Sequence, residues 1–175
     1  MNTSTVHLLN QINREFYQTV ASSFDETRSN PWSGWLRLLP YIRDCNSGLH
    51  RPALDIQDSS SGLSLRVLDI GCGNGRFGVF LKQNLEIPIK YHGIDSSDYL
   101  LKHAADMLKA ENVDFHLRNV DVITEDYIPD DPYDLIVIFG VMHHIPGFEN
   151  RKKLIERSMK ALAPGGLLAV TFWVF

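Results

Sequence analysis

Arg66-Val67-Leu68-Asp69-Ile70-Gly71-Cys72-Gly73-Asn74-Gly75-Arg76 is the stretch whose reading decides the fold. An apolar run, Val67, Leu68 and Ile70, ends in glycine at three alternate positions before the sequence turns helical. That pattern predicts a strand, a tight loop and a helix start. Glycine has no Cβ, so the backbone here can bend sharply and come within contact distance of a ligand. Free N–H groups at the following helix start then face that ligand. The spacing separates two cofactor classes. A dinucleotide fingerprint, Gly-x-Gly-x-x-Gly, requires glycine at 76, where the chain has Arg76, so the pyrophosphate reading fails.

Downstream, Tyr91-His92-Gly93-Ile94-Asp95-Ser96-Ser97 reads as a short strand that ends on a carboxylate and opens a helix over 97–110. An acid at the end of a second strand can accept hydrogen bonds from ribose hydroxyls, which makes Asp95 the candidate ribose ligand. The competing role for Asp95 is N-cap of that helix, which Ser96 or Ser97 can fill instead. Residues 113–120 alternate loosely as a strand and lead into Asp121-Val122. Tyr133-Asp134-Leu135-Ile136-Val137-Ile138-Phe139 then carries the continuous apolar run of a strand buried on both faces, as a parallel sheet requires. Ligands in open α/β sheets sit at the carboxyl ends of the strands where the strand order reverses, so Phe139, Gly140 and Val141 are expected to line the site. The His143-His144 pair has no Cys or carboxylate at ligand spacing, so no metal is implied. A helix with Leu154, Ile155, Met159 and Leu162 on one face stops at Pro164-Gly165-Gly166, and Leu167–Phe175 reads as a fifth strand.

Asp69-x-Gly71-x-Gly73-x-Gly75, with these strands in order, resembles the class I S-adenosylmethionine-dependent methyltransferases. The resemblance implies an α/β, doubly wound, Rossmann-like sheet and S-adenosyl-L-methionine as cofactor. It implies a loop of Asp69, Gly71, Cys72, Gly73, Asn74 and Gly75 around the methionine end, and Asp95 with Ser96 at the ribose. It also implies Asp121 at the adenine amino group with the Val122 N–H at a ring nitrogen, and Phe139 and Gly140 beside the cofactor. In that family His-His-Ile after the fourth strand is mostly pocket wall. The family's sheet has two further strands in the order 3-2-1-4-5-7-6, whereas this chain stops at Phe175, in strand five. We therefore expect a truncated sheet with an open apolar edge, which invites a partner subunit or a second copy.

The N-terminal stretch divides in two. Leu8 or Leu9, Ile12, Phe16, Val20 and Phe24 recur at helical spacing, which predicts an amphipathic helix over 5–27, broken near Ala21-Ser22-Ser23. A second helix is expected around Trp35, Leu36, Leu38, Leu39 and Ile42, and the Ser-rich stretch 44–64 reads as a polar linker. We expect residues 1–64 to be a helical cap and linker and residues 65–175 to be the cofactor-binding core. Phe16-Tyr17-x-x-x-Ala21-x-x-Phe24-x-x-Thr27-Arg28-x-x-Pro31-Trp32 resembles the opening of the tRNA methyltransferases that esterify carboxymethyluridine at the wobble position. Arg28, with a planar and permanently charged guanidinium, is the candidate for holding a substrate carboxylate or phosphate. A carboxylate acceptor is anionic at neutral pH and needs no general base. An amine or hydroxyl acceptor needs one, and His143 or His144 is then the candidate, with His143 taken as the catalytic one.

Composition sets bounds on function. The 175 residues can bury a substantial core. No apolar run approaches membrane-span length, and the polar start lacks the plan of a signal peptide, so a cytoplasmic protein without membrane attachment is expected. Two cysteines imply neither a disulfide framework nor a zinc site. The net charge of −4 argues against a broadly basic nucleic-acid surface, but not against a local one. Three activities fit: methylation of tRNA at a modified wobble uridine, methylation of a small metabolite, or a cofactor-binding module inactive without a partner.

Overall fold

The computed structural model describes residues 1–26, 31–46, 64–125, 127–129 and 132–172. The sequence-chosen Arg28 lies outside these residues, as does most of the 44–64 stretch. α1 spans Thr3–Glu26, a 3-10 turn spans Ser33–Leu38, and α2 spans Leu39–Asn46. The core follows as β1 (Leu65–Ile70), α3 (Arg76–Asn84), β2 (Ile89–Asp95), α4 (Asp98–Ala110) and β3 (Asp114–Asn119). It continues with β4 (Tyr133–Ile138), a second 3-10 turn (Met142–His144), α5 (Phe148–Lys160) and β5 (Leu162–Val170). α1 runs through Ala21-Ser22-Ser23 without the expected break.

The five strands form one parallel sheet in the order β3-β2-β1-β4-β5. The chain starts at the centre with β1, steps outward to β3, then returns to the other side of β1 as β4. That reversal opens a crevice at the carboxyl ends of β1 and β4. β4 is buried along its whole length, as its unbroken apolar run required. Its alternate side chains feed two cores. Leu135 and Val137 join Val67, Tyr91, Phe77, Leu81, Ala104 and Leu108 on the face covered by α2, α3 and α4. Ile136 and Ile138 join Leu68, Ile70, Ile94 and Leu154 on the face covered by α5. Period-two alternation thus makes one sheet serve both layers.

The expected stop between α5 and a strand beginning at 167 is corrected by the register. Leu162 already pairs with Tyr133, and pairing resumes at Leu167 with Leu135. The intervening Ala163-Pro164-Gly165-Gly166 bulges out of the ladder, because proline has no N–H to donate and Gly165 takes φ +77°.

One polar tie joins β1 to β4. The Asp134 carboxylate accepts from the Arg66 N–H at 2.9 Å and from its guanidinium at 3.1 and 3.0 Å. Asp134 is buried, so removing it strips these three hydrogen bonds from a partly buried arginine. We predict that Asp134→Ala lowers the free energy of unfolding by about 3 kcal/mol, and that Asp134→Asn, which keeps an acceptor, costs about half of that. Denaturant unfolding of the three proteins checks the order.

Candidate functional site

The loop between β1 and α3 is fixed by its own amides. Gly71 and Cys72 donate their N–H groups to the Ile94 carbonyl at 2.8 and 3.0 Å. Gly73 donates to Asp95 Oδ2 at 2.9 Å, and Ser97 donates to Asp95 Oδ1 at 2.9 Å. Ser97 caps α4 by accepting from the Leu100 N–H at 3.3 Å, so the N-cap role that competed for Asp95 belongs to Ser97. Two of the glycines differ in what requires them. At Gly71, with φ +75°, an added Cβ would lie 2.2 Å from Val141 Cγ2. At Gly73, with φ +54°, an added Cβ would meet nothing within 4 Å and would project into open space. That space is a cavity of about 780 Å³ at the carboxyl ends of β1, β2 and β4.

Beneath the loop lies a buried acid. Asp69 accepts from the Tyr91 hydroxyl at 2.6 Å. Burial pushes its carboxyl up to about 7, aided by the charge of Asp95 and opposed by the Tyr91 hydrogen bond and the nearby Arg76. Burial also raises Asp95, against the N–H groups of Gly73, Ser97 and Ser96. The Cys72 thiol is raised well above its ordinary value, chiefly by burial, which keeps it protonated and unreactive.

The cavity brings together most residues that the sequence singled out. Asp69, Gly71, Cys72, Gly73, Asn74, Asp95, Ser96, Asp121, Val122, Phe139, Gly140 and His143 all line it. Gly75 does not; its Cα faces Ala104 and Leu108 of α4, where an added Cβ would come within 3.0 to 3.2 Å. At the far end Trp32, Trp35, Tyr17 and Phe172 join Phe139 as aromatic walls.

What the sequence reading missed is the part played by α1. Asn10 donates to Asp121 Oδ2 at 2.7 Å and Arg14 lies 3.4 Å from the same oxygen. Asn13 donates to the His144 carbonyl at 2.9 Å, and the Tyr17 hydroxyl meets His144 Nε2 at 2.6 Å. The helix faces the site with its polar side and shows its apolar side outward: Leu8, Ile12 and Phe16 are 57%, 51% and 58% exposed. The signal was available, because Asn10, Asn13, Arg14 and Tyr17 repeat at the same helical spacing as the apolar residues. Arg76 and Thr171 are further lining residues that carried no prior signal. Of the cations on α5, Arg151 and Arg157 donate to the Ile145 and Glu125 carbonyls and Lys152 pairs with Glu156, which ties that charge run to its own fold.

A parallel sheet in this order, a glycine loop closed by the carboxylate of the neighbouring strand, and a cavity at the point of reversal define a class I S-adenosylmethionine-dependent methyltransferase. The chain belongs to the methyltransferase domain family, whose profile matches residues 68–168. A probable tRNA methyltransferase 9B of Mus musculus is 27% identical over 99% of this chain and 32% of its own length. A tRNA (carboxymethyluridine(34)-5-O)-methyltransferase of Arabidopsis thaliana is 25% identical over 90% of this chain and 31% of its own. A probable (S)-tetrahydroprotoberberine N-methyltransferase 2 of Papaver bracteatum is 33% identical over 59% and 28%. The chain thus spans about a third of the length of the curated relatives it matches. Among solved structures, PKMT2 of Rickettsia typhi in complex with AdoHcy superposes with a TM-score of 0.54 at 25% identity, over 75% of this chain and 24% of that one. The AdoHcy held by that neighbour is what S-adenosylmethionine becomes on giving up its methyl group.

Two predictions follow the geometry. Gly71→Ala combines a left-handed backbone with a clash and should cost about 2 to 4 kcal/mol of stability. Gly73→Ala should cost about 1 kcal/mol yet weaken S-adenosylmethionine binding at least tenfold, because its methyl group enters the cavity; unfolding and calorimetry on both variants separate the effects. For Asp69 the sign runs opposite to most carboxylates. An acid raised in the folded protein favours folding while protonated, so its contribution is full below about pH 4 and is lost as pH rises through about 7. Relative to Asp69→Asn, the wild type should therefore lose about 2 kcal/mol of stability between pH 5 and pH 8, and parallel pH profiles would refute the buried acid.

Proposed function

We propose that the chain methylates a carboxymethyl group on the wobble uridine of tRNA in the cytoplasm. Asp69 and the loop Gly71, Cys72, Gly73 and Asn74 hold the methionyl end of the cofactor, Asp95 and Ser96 its ribose, and the Asp121-Val122 turn its adenine. Phe139 and Gly140 flank the reacting centre. Three features support this fit: the cavity volume, the open position above Gly73, and a Val122 N–H that has no partner among the described residues. When bound, the sulfonium supplies a methyl group already activated for transfer. The protein's share is to align the acceptor and exclude water, effects that together can supply about 7 to 11 kcal/mol. α1 closes one side of the cavity through Tyr17 and Asn13, and Trp32 and Phe172 stand at its mouth. Flat aromatic walls suit an unstacked nucleobase. A carboxylate acceptor needs no base, which accords with His144 being held by Tyr17 rather than turned to a substrate.

The observation that carries the tRNA reading is the extent of the likeness. Similarity to the tRNA methyltransferases continues through the N-terminal segment, outside the 68–168 family match, and that segment builds the cavity wall. A small-molecule acceptor is the second reading, favoured by the Papaver relative, whose likeness covers 59% of the chain. For that reading His143, exposed at the cavity edge, is the candidate base. Transfer of labelled methyl groups to bulk tRNA and to a metabolite extract, each with the chain alone and with cell extract added, decides between them. We expect label in tRNA, released as methanol by mild alkali as an ester must be. Label confined to small molecules ends the tRNA reading.

A further inference from the structure

We propose that Asn10, on α1, reads the amino group of the cofactor's adenine beside the neighbouring Asp121. This rests on the adenine placement given above. The Asp121 carboxylate has about four acceptor positions. Oδ2 takes the Asn10 amide at 2.7 Å and the Arg14 guanidinium at 3.4 Å, and Oδ1 takes the Ile123 N–H at 3.0 Å. The acceptor beside it fixes the orientation of the Asn10 amide, because an ionised carboxylate only accepts, so Nδ2 faces Asp121 and Oδ1 faces away. Asn10 is 7% exposed and lines the cavity, and its Oδ1 has no donor among the described residues. An acceptor that lines a cavity without a donor is open to a ligand, and the Asn10 Oδ1 is such an acceptor. The adjoining Val122 N–H lines the same end of the cavity and likewise has no partner among the described residues. The chain therefore offers one acceptor and one donor on either side of Asp121. That pair matches an edge with an amino donor next to a ring-nitrogen acceptor, which is what 6-aminopurine presents. A helix outside the family's core segment thus supplies the group that distinguishes adenine from other purines.

The test compares S-adenosylhomocysteine with its analogue lacking the 6-amino group, by calorimetry on the full chain. We expect the wild type to prefer the adenine compound by about tenfold, and Asn10→Ala to reduce that preference to threefold or less. Asn10→Leu, which keeps the branched four-atom side chain, guards against a cavity effect and should behave as Asn10→Ala does. Asp95→Ala should weaken both compounds alike and leave the preference intact. A preference that survives in both Asn10 variants, or that is missing in the wild type, overturns the proposal. Failure of the wild type to bind S-adenosylhomocysteine would instead overturn the adenine placement beneath it.

Discussion

Asp95 accepts one N–H on each carboxylate oxygen, from Gly73 and from Ser97, and so ties the loop after β1 to the turn after β2. A loop with three positive-φ glycines loses much conformational entropy on ordering and would be loose if left to itself. The carboxylate supplies the missing restraint, and the Ile94 carbonyl supplies two more contacts to the same loop. Burying that carboxylate is costly, as its raised pKa records, and the surrounding N–H groups offset the cost. The result is a loop already shaped before a ligand arrives, so binding spends little free energy on ordering it.

The same logic explains why α1 meets the core with its polar face. The part of the crevice that α1 covers presents loop backbone, a histidine and the Asp121 carboxylate, all of which need hydrogen-bond partners when covered. An apolar helix face placed there would strand them. Asn10, Asn13 and Tyr17 satisfy them instead, and the apolar residues Leu8, Ile12 and Phe16 are left outward.

The core of the fold was legible because its physics is local. Val67 to Ile70 and Leu135 to Ile138 are apolar without interruption, which only a strand buried on both faces tolerates, and alternating glycines mark the turn that follows the first. The candidate site was legible where a residue type is demanded by one backbone position, as at Gly71 and Gly73. It was not legible where a residue acts through tertiary partners. Nothing around Asp69 announces that Tyr91, on another strand, will shelter it. Helical periodicity in α1 was visible in two residue sets at once, and nothing local says which of them meets the core, because that depends on the polarity of the surface to be covered. The bulge at Ala163–Gly166 escaped for a similar reason: proline and glycine mark a turn without saying that Leu162 before it already belongs to the ladder.

The hydrogen bonds that seat α1 each contribute of the order of 1 kcal/mol net. Asn10 and Tyr17 lie seven residues apart, about 10 Å along a stiff helix. The first touches Asp121, at the end of the cavity assigned to the base, and the second touches His144, beside the aromatic walls assigned to the acceptor. A rigid element with contacts at both ends couples them by geometry: whatever steadies Asn10 also steadies Tyr17. The polar face of one helix thus spans both halves of the cavity.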